Sequence, residues 1–155
     1  MKMRIDESFY IDPIGLARGL ALWWTNDVKI SILSYGKNFI DTKVSSNEDE
    51  WFLTLIYGPP YAEEKQAFRE FISSLRSNYS EKCCLIGDTN IVVSSDEKLG
   101  GTFTCSDQRS EGNAILEKLD RILVSTDWSR FFHKAIGVLD ASIASNHAPI
   151  YLLLK

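Results

Sequence analysis

The chain has 155 residues, 45% of them apolar, 12% aromatic and 25% charged. That composition can furnish a core, and it is neither that of a disordered chain nor that of a collagen-like one. Lys and Arg number 17 against 21 Asp and Glu, a net charge of −4, which argues against an indiscriminate polyanion binder built on a basic patch. An enzyme that brings a nucleic-acid phosphate to a metal stays open. Three cysteines, with Cys83 and Cys84 adjacent, make a poor disulfide framework and point to a reducing compartment. The first residues lack the apolar segment of a secretory signal, and the apolar runs 20–24 and 150–154 fall far short of the roughly 20 residues a membrane span needs. The expectation is an intracellular protein, nuclear or cytoplasmic and not secreted, folding as one domain over 1–155.

In chain order, 19–24 is a short apolar run and 28–34 alternates with period two, as a half-buried strand does. Thr25-Asn-Asp between them is turn chemistry, so the two runs read as a hairpin. A weaker alternation covers 39–44, and the polar stretch 45–50 is a turn. Residues 51–57 form the strongest strand pattern, ended by Gly58-Pro-Pro, whose prolines cannot continue a ladder. Phe68, Phe71, Ile72 and Leu75 then make one apolar helical stripe, with Glu63, Lys65, Arg69 and Glu70 on other faces. A buried strand, 83–87, runs into Asp88-Thr-Asn, and a Ser, Asp and Gly-rich loop covers about 94–101. The last third holds a short strand at 102–105, an apolar-polar stretch at 115–124, a helical turn at 127–132, and strands at 135–139 and 150–154. Strand, helix, strand from Trp51 to Gly87 predicts an α/β sheet covered by helices.

Polar residues at the ends of rigid strands are the places to look for chemistry. Four such places occur: Tyr57 before its Gly-Pro-Pro turn, Asp88 and Asn90 after an apolar strand and a glycine, Asp120 in Leu-Asp-Arg, and Asn146 with His147 before the last strand. Each, taken alone, also fits a plain structural role: a turn aspartate, a capping histidine, an ion pair with Arg121, a strand aromatic. His133 reads as structural, and Cys83 and Cys84 as strand core without a metal-ligand spacing. Gly100-Gly101 lacks the Lys-Ser/Thr and helix of a phosphate-binding loop.

Their order carries more than any one of them. Tyr57-Gly-Pro-Pro, Gly87-Asp-Thr-Asn, Glu97-Lys-Leu-Gly-Gly, Phe103-Thr-Cys, Leu119-Asp-Arg and Ser145-Asn-His-Ala-Pro-Ile, after Arg18-Gly-Leu-Ala-Leu-Trp-Trp, resemble the landmarks of the endonuclease/exonuclease/phosphatase superfamily. That superfamily includes exonuclease III, apurinic endonucleases and DNase I. The resemblance runs from about Phe9 and looks nearest to the endonucleases of plant LINE-type (non-LTR) retrotransposons, which accompany a reverse transcriptase. It implies a partial DNase I-like α/β sandwich: two facing mixed sheets with outer helices, the N-terminal strands missing. It also implies a hydrolase acting on DNA phosphodiesters with Mg²⁺ or Mn²⁺. By that resemblance Asp88 serves the attacking water, with Asn90 holding the phosphate or the nucleophile. His147 touches a phosphate oxygen and is oriented by Asp120, a pairing that favours the imidazolium. Tyr57 donates its hydroxyl to the phosphate and Thr104 braces the site on the substrate side.

The departures concern the cation. The family's metal-binding Glu, and the Asn that precedes it, lie on strands before the segment this chain resembles. The family's Ser-Asp-His is Ser-Asn-His here, leaving Asn146 to offer a neutral amide to metal or substrate. Mg²⁺ is a hard ion held through carboxylates and substrate phosphates, so losing two anionic groups removes most of the charge the site depends on. A helix and strand between Gly101 and Thr102 are also missing. The sequence thus predicts a truncated domain with impaired catalysis; the alternative from another class is a small, acidic, non-catalytic protein-interaction domain.

Overall fold

A computed structural model of the chain describes residues 4–14, 19–47, 49–77, 82–90, 105–107, 115–117, 120–139 and 150–154. The strands are β1 (Glu7–Ile11), β2 (Leu20–Trp24), β3 (Lys29–Gly36), β4 (Phe39–Ser46), β5 (Asp49–Tyr57), β6 (Cys83–Asp88), β7 (Cys105–Asp107), β8 (Ile115–Glu117), β9 (Asp120–Val124), β10 (Ile136–Leu139) and β11 (Ile150–Leu153). The helices are α1 (Ala62–Ser77) and, here called α2, Thr126–Phe131. Among the described residues no helix is long and apolar enough to cross a membrane.

The organising element is a mixed five-stranded sheet in the order β3-β4-β5-β6-β9. β3, β4 and β5 form an antiparallel meander, turned at Asn47, whose φ of 53° asparagine tolerates well. β5 then pairs in parallel with β6, a geometry that requires a crossover, and α1 supplies it. β9 closes the order antiparallel to β6.

Period-two alternation sends the two sets of side chains of each strand to opposite faces. On one face Val44, Trp51, Leu53, Cys84 and Ile86 are buried in a single cluster with Leu22 from β2 and Trp128 from α2. Trp51 meets the rings of Trp128 and Phe132 edge-on, with centroids 5.6 and 5.5 Å apart. Ile150, Leu152 and Leu154 pack against the same cluster from the β11 side. On the other face lies α1, whose Phe71 ring sits 4.7 Å from Phe39 of β4.

One expected pairing is replaced. The runs at 19–24 and 28–34 are both strands, but they do not form a hairpin: β2 pairs antiparallel with β1, from Ile11↔Leu20 to Glu7↔Trp24, while β3 pairs with β4. The turn between them is real, and it turns the chain from one sheet to the other. Leu22 is buried over the central sheet, so β2 gains more by stacking on β5 than by extending the sheet beside β3. Asp6 holds the corner, accepting the Asn26 N–H at 3.0 Å. That bond and the Arg4 guanidinium lower its carboxyl below the usual range. β1, with the pattern exposed-exposed-half-buried-exposed-half-buried, shows too little apolar alternation to stand out in the sequence.

Other elements differ in extent. The short strand expected at 102–105 is described only from Cys105, as β7, and 115–124 divides into β8 and β9. The loop at 94–101 lies outside the described residues. Ser125 starts α2, its hydroxyl accepting the Trp128 N–H at 3.2 Å and the Cys83 N–H at 3.1 Å, so one cap ties this helix to β6.

Cys84 is 1% exposed, and burial, helped by neighbouring Cys83, pushes its thiol up to about 12. The folded chain therefore keeps a proton that the unfolded chain releases above its ordinary 9.0. The stability that this contributes is whole below about 9 and is lost as pH rises toward about 12. At pH 8, iodoacetamide is expected to leave Cys84 unmodified in the native protein and to label it only in denaturant; mass spectrometry after digestion reads the difference.

Candidate active site

Three strand ends meet in one row. In the register of the central sheet Tyr57 lies beside Asp88, and Asp88 lies opposite Asp120. The row sits one pleat repeat beyond Leu55, Ile86 and Ile122, all of which pack into or against the core. Tyr57 and Asp88 therefore end the apolar, core-facing side of β5 and β6, with position 120 next to them in the backbone register. Asp88 is 5% exposed.

The loops that follow β5 and β6 are sewn together by backbone groups. The Gly58 N–H donates to the Asp88 carbonyl at 2.6 Å. Asp88 folds its carboxylate back to accept the Asn90 N–H at 2.7 Å, an Asx turn that holds Asn90 at a φ of 48°. The Asn90 side-chain amide donates to the Gly58 carbonyl, and the Lys65 ammonium donates to the Asn90 carbonyl at 2.7 Å. Tyr57 is clamped on its other side, its N–H donating to the Asn38 carbonyl at 2.8 Å while the Asn38 amide donates to the Tyr57 carbonyl at 2.6 Å.

This closeness explains two glycines. Gly58 has the Thr89 carbonyl where a Cβ would go, so the two loops could not touch with any other residue there. Gly87 has a φ of +139°, in the region that favours glycine, and a Cβ on it would overlap the Ile56 carbonyl. The Gly-Asp and Tyr-Gly pairs are thus steric requirements of one joint.

Of the residues expected from sequence, Tyr57, Asp88 and Asn90 come together in this joint, and the backbone register brings position 120 beside position 88. Thr104, Asn146 and His147 lie outside the described residues. Lys65 is a correction. Its residue type and the apolar stripe put it on another face of α1, yet it is half-buried and turned toward the loop of Asn90. Phe68 follows it by three positions, so Lys65 extends the packed stripe by one turn, and only the spacing could have shown this. Asn38, in the turn between β3 and β4, carries no local signal that would mark it in the sequence.

Among the described residues no three His, Cys, Asp or Glu side chains gather to hold a metal ion. In the joint, one oxygen of the Asp88 carboxylate receives the Asn90 N–H and one amide hydrogen of Asn90 goes to Gly58. Mg²⁺ takes six ligands in near-octahedral geometry, usually through carboxylates and substrate phosphates.

No family model matches the chain, and no curated protein matches it. Among solved structures, the endonuclease domain of TRAS1, a telomere-specific non-LTR retrotransposon, is similar over 96% of this chain and 80% of its own, with a TM-score of 0.70 at 11% sequence identity. At that identity the likeness is one of fold, and the fold of this chain is that of a DNase I-like retrotransposon endonuclease domain.

Proposed function

We propose that the chain is an endonuclease-type domain of retrotransposon origin that retains the phosphate-facing half of a phosphodiesterase site and is impaired in cleavage. The observation that carries this reading is the row of Tyr57, Asp88 and position 120 across three neighbouring strands, locked by the joint of Gly58, Asn90 and Lys65. The likeness of fold to a retrotransposon endonuclease domain supports it.

Cutting a phosphodiester needs a positioned water, a group to orient or deprotonate it, and positive charge for the phosphate oxygens. In this reading the Asp88 carboxylate orients the water. The Tyr57 hydroxyl donates to a non-bridging oxygen, and Lys65, held at the rim, adds a positive charge. Asn90 keeps the Asp88 loop against the Gly58 turn and lends its remaining amide hydrogen to the substrate. Asp120 orients His147, whose imidazolium meets the phosphate, with Thr104 and Asn146 beside it. What the reading lacks is anionic charge for a cation. In this reading the Asp88 and Asp120 carboxylates are engaged with the water and with His147, and position 146 supplies only a neutral amide, so no carboxylate is left over for a hard divalent ion.

The test is plasmid nicking. Supercoiled plasmid incubated with the protein and Mg²⁺ or Mn²⁺ is expected to yield no more open-circular product than with Asp88→Ala. Asn146→Asp alone is expected to leave that result unchanged. Nicking by the wild-type protein that disappears in Asp88→Ala would overturn the impairment, and recovery in Asn146→Asp would show that another group completes the cation site.

A further inference from the structure

The peptide that joins Tyr57 to Gly58 is held by the same device on both sides. Toward β6, the Gly58 N–H donates to the Asp88 carbonyl at 2.6 Å, and the Gly58 carbonyl receives the Asn90 side-chain amide. Toward β4, the Tyr57 N–H donates to the Asn38 carbonyl at 2.8 Å, and the Tyr57 carbonyl receives the Asn38 side-chain amide at 2.6 Å. Two consecutive residues thus each give their N–H to a main-chain carbonyl and take a hydrogen from an asparagine side chain. One of those asparagines, Asn90, belongs to the polar joint. The other comes from the turn between β3 and β4.

The register shows why an asparagine stands there. The β4–β5 ladder reaches Phe39↔Ile56. One step further it would set position 38 opposite Tyr57, where the backbone is already turning toward β3. A hydrogen-bonded antiparallel pair exchanges two N–H···O bonds. The Asn38 carbonyl makes one half of that exchange, and its side-chain amide makes the other. Aspartate has the same shape but no hydrogen to donate, and alanine offers neither oxygen nor nitrogen. The clamp therefore depends on this side chain at the point where β5 ends and Tyr57 begins the candidate site.

We infer that Asn38 is a positioning residue of the site: it fixes the backbone of Tyr57, and through it the place of the phenolic hydroxyl, as Asn90 fixes the Asp88 loop against Gly58. The tyrosine ring is a rigid lever with the hydroxyl at its far end, and only two torsions separate it from the Cα atom. A small tilt of the backbone at 57 becomes a displacement of about 1 Å at the hydroxyl, a scale on which sites lose their function. Asn38 itself touches no substrate in this assignment. The inference rests on the nuclease reading for what the hydroxyl meets, a phosphate oxygen, and not for what holds it.

Two measurements separate those claims. Tyrosine labelled with ¹³C at Cζ gives one line for each of the six tyrosines, and Tyr57→Phe identifies the line of Tyr57 by its loss. Asn38→Ala and Asn38→Asp are each expected to displace and broaden that line, since neither can donate to the Tyr57 carbonyl. Lys37→Ala, exposed in the same turn, is expected to leave it in place. A Tyr57 line in Asn38→Asp that matches the wild type would overturn the inference, because the amide hydrogen would then hold nothing. The second measurement is the affinity for a short DNA duplex at low salt with Mg²⁺. Tyr57→Phe is expected to weaken it about tenfold, as for one hydrogen bond to a charged group. Asn38→Ala is expected to weaken it about fivefold, and the double variant no more than Tyr57→Phe alone, because the asparagine acts through the hydroxyl. Losses that multiply would overturn the inference, and so would an Asn38→Ala variant that binds as the wild type does while Tyr57→Phe binds weakly. DNA bound equally by the wild type and Tyr57→Phe would instead count against the nuclease reading of Tyr57, and the Tyr57 line then decides for or against Asn38 by itself.

Discussion

Gly87→Ala is expected to destabilise the protein by about 3 kcal/mol, read as a fall in the urea midpoint with the slope unchanged. Two effects add. The backbone at 87 has a φ of +139°, which an L side chain adopts only under strain, and a Cβ there would collide with the carbonyl of Ile56, its own register partner. That neighbour is backbone held within the parallel ladder, where a flexible side chain's freedom to swing aside is lacking. Relief has to come from parting β5 from β6 at this point, one residue before Tyr57 and Asp88. The substitution therefore strikes the candidate site along with the fold. Gly36→Ala is the comparison: its Cβ would meet only the Phe39 ring, at 2.8 Å, and a side chain can swing aside. It is expected to cost less than about 1 kcal/mol. Similar midpoints for the two variants would contradict the steric argument. A small domain commonly has only about 5–15 kcal/mol of stability in hand, so the Gly87 variant is best studied well below its melting temperature.

Trp51→Ala is expected to cost about 3–5 kcal/mol, the largest loss from any truncation of the core. The indole is 2% exposed and packs edge-on against both Trp128 and Phe132, which join β5 to α2. Removing it deletes apolar burial and two ring contacts, and it enlarges an adjoining apolar cavity instead of letting the walls collapse. Trp23, on the β2 wall of the same cavity and 57% exposed, provides the contrast. Trp23→Ala is expected to cost about 0.5 kcal/mol or less. Thermal unfolding followed by far-UV circular dichroism distinguishes the two. A Trp51 variant as stable as the Trp23 variant would mean that β5 is not the centre of the core.

Both predictions rest on β5 and β6, two strands that the amino-acid pattern marks plainly. The alternation of Trp51, Leu53 and Leu55, the Gly-Pro-Pro stop, the stripe of Phe68, Phe71, Ile72 and Leu75, and the apolar run into Gly87-Asp88 are all local signals. Local signals survive folding because side-chain period and backbone preference act over a few residues. The ordered motifs also pointed to the DNase I-like fold, which the likeness to a retrotransposon endonuclease domain bears out.

Partnership was a different matter. Nothing within Leu20–Trp24 says whether it pairs with the strand before it or the one after; the choice fell to β1 because burying Leu22 over β5 requires β2 to leave the central sheet. Lys65 turned inward because its position continues the packed stripe and a carbonyl waits at the end of its reach, that of Asn90. The row of Tyr57, Asp88 and position 120 exists only because a parallel crossover and an antiparallel return happen to share one register. Residue types and periodicities were legible along the chain because they are short-range. Register, strand partners and the meeting of distant polar groups depend on which surfaces are buried against each other, and that is settled only when the layers pack.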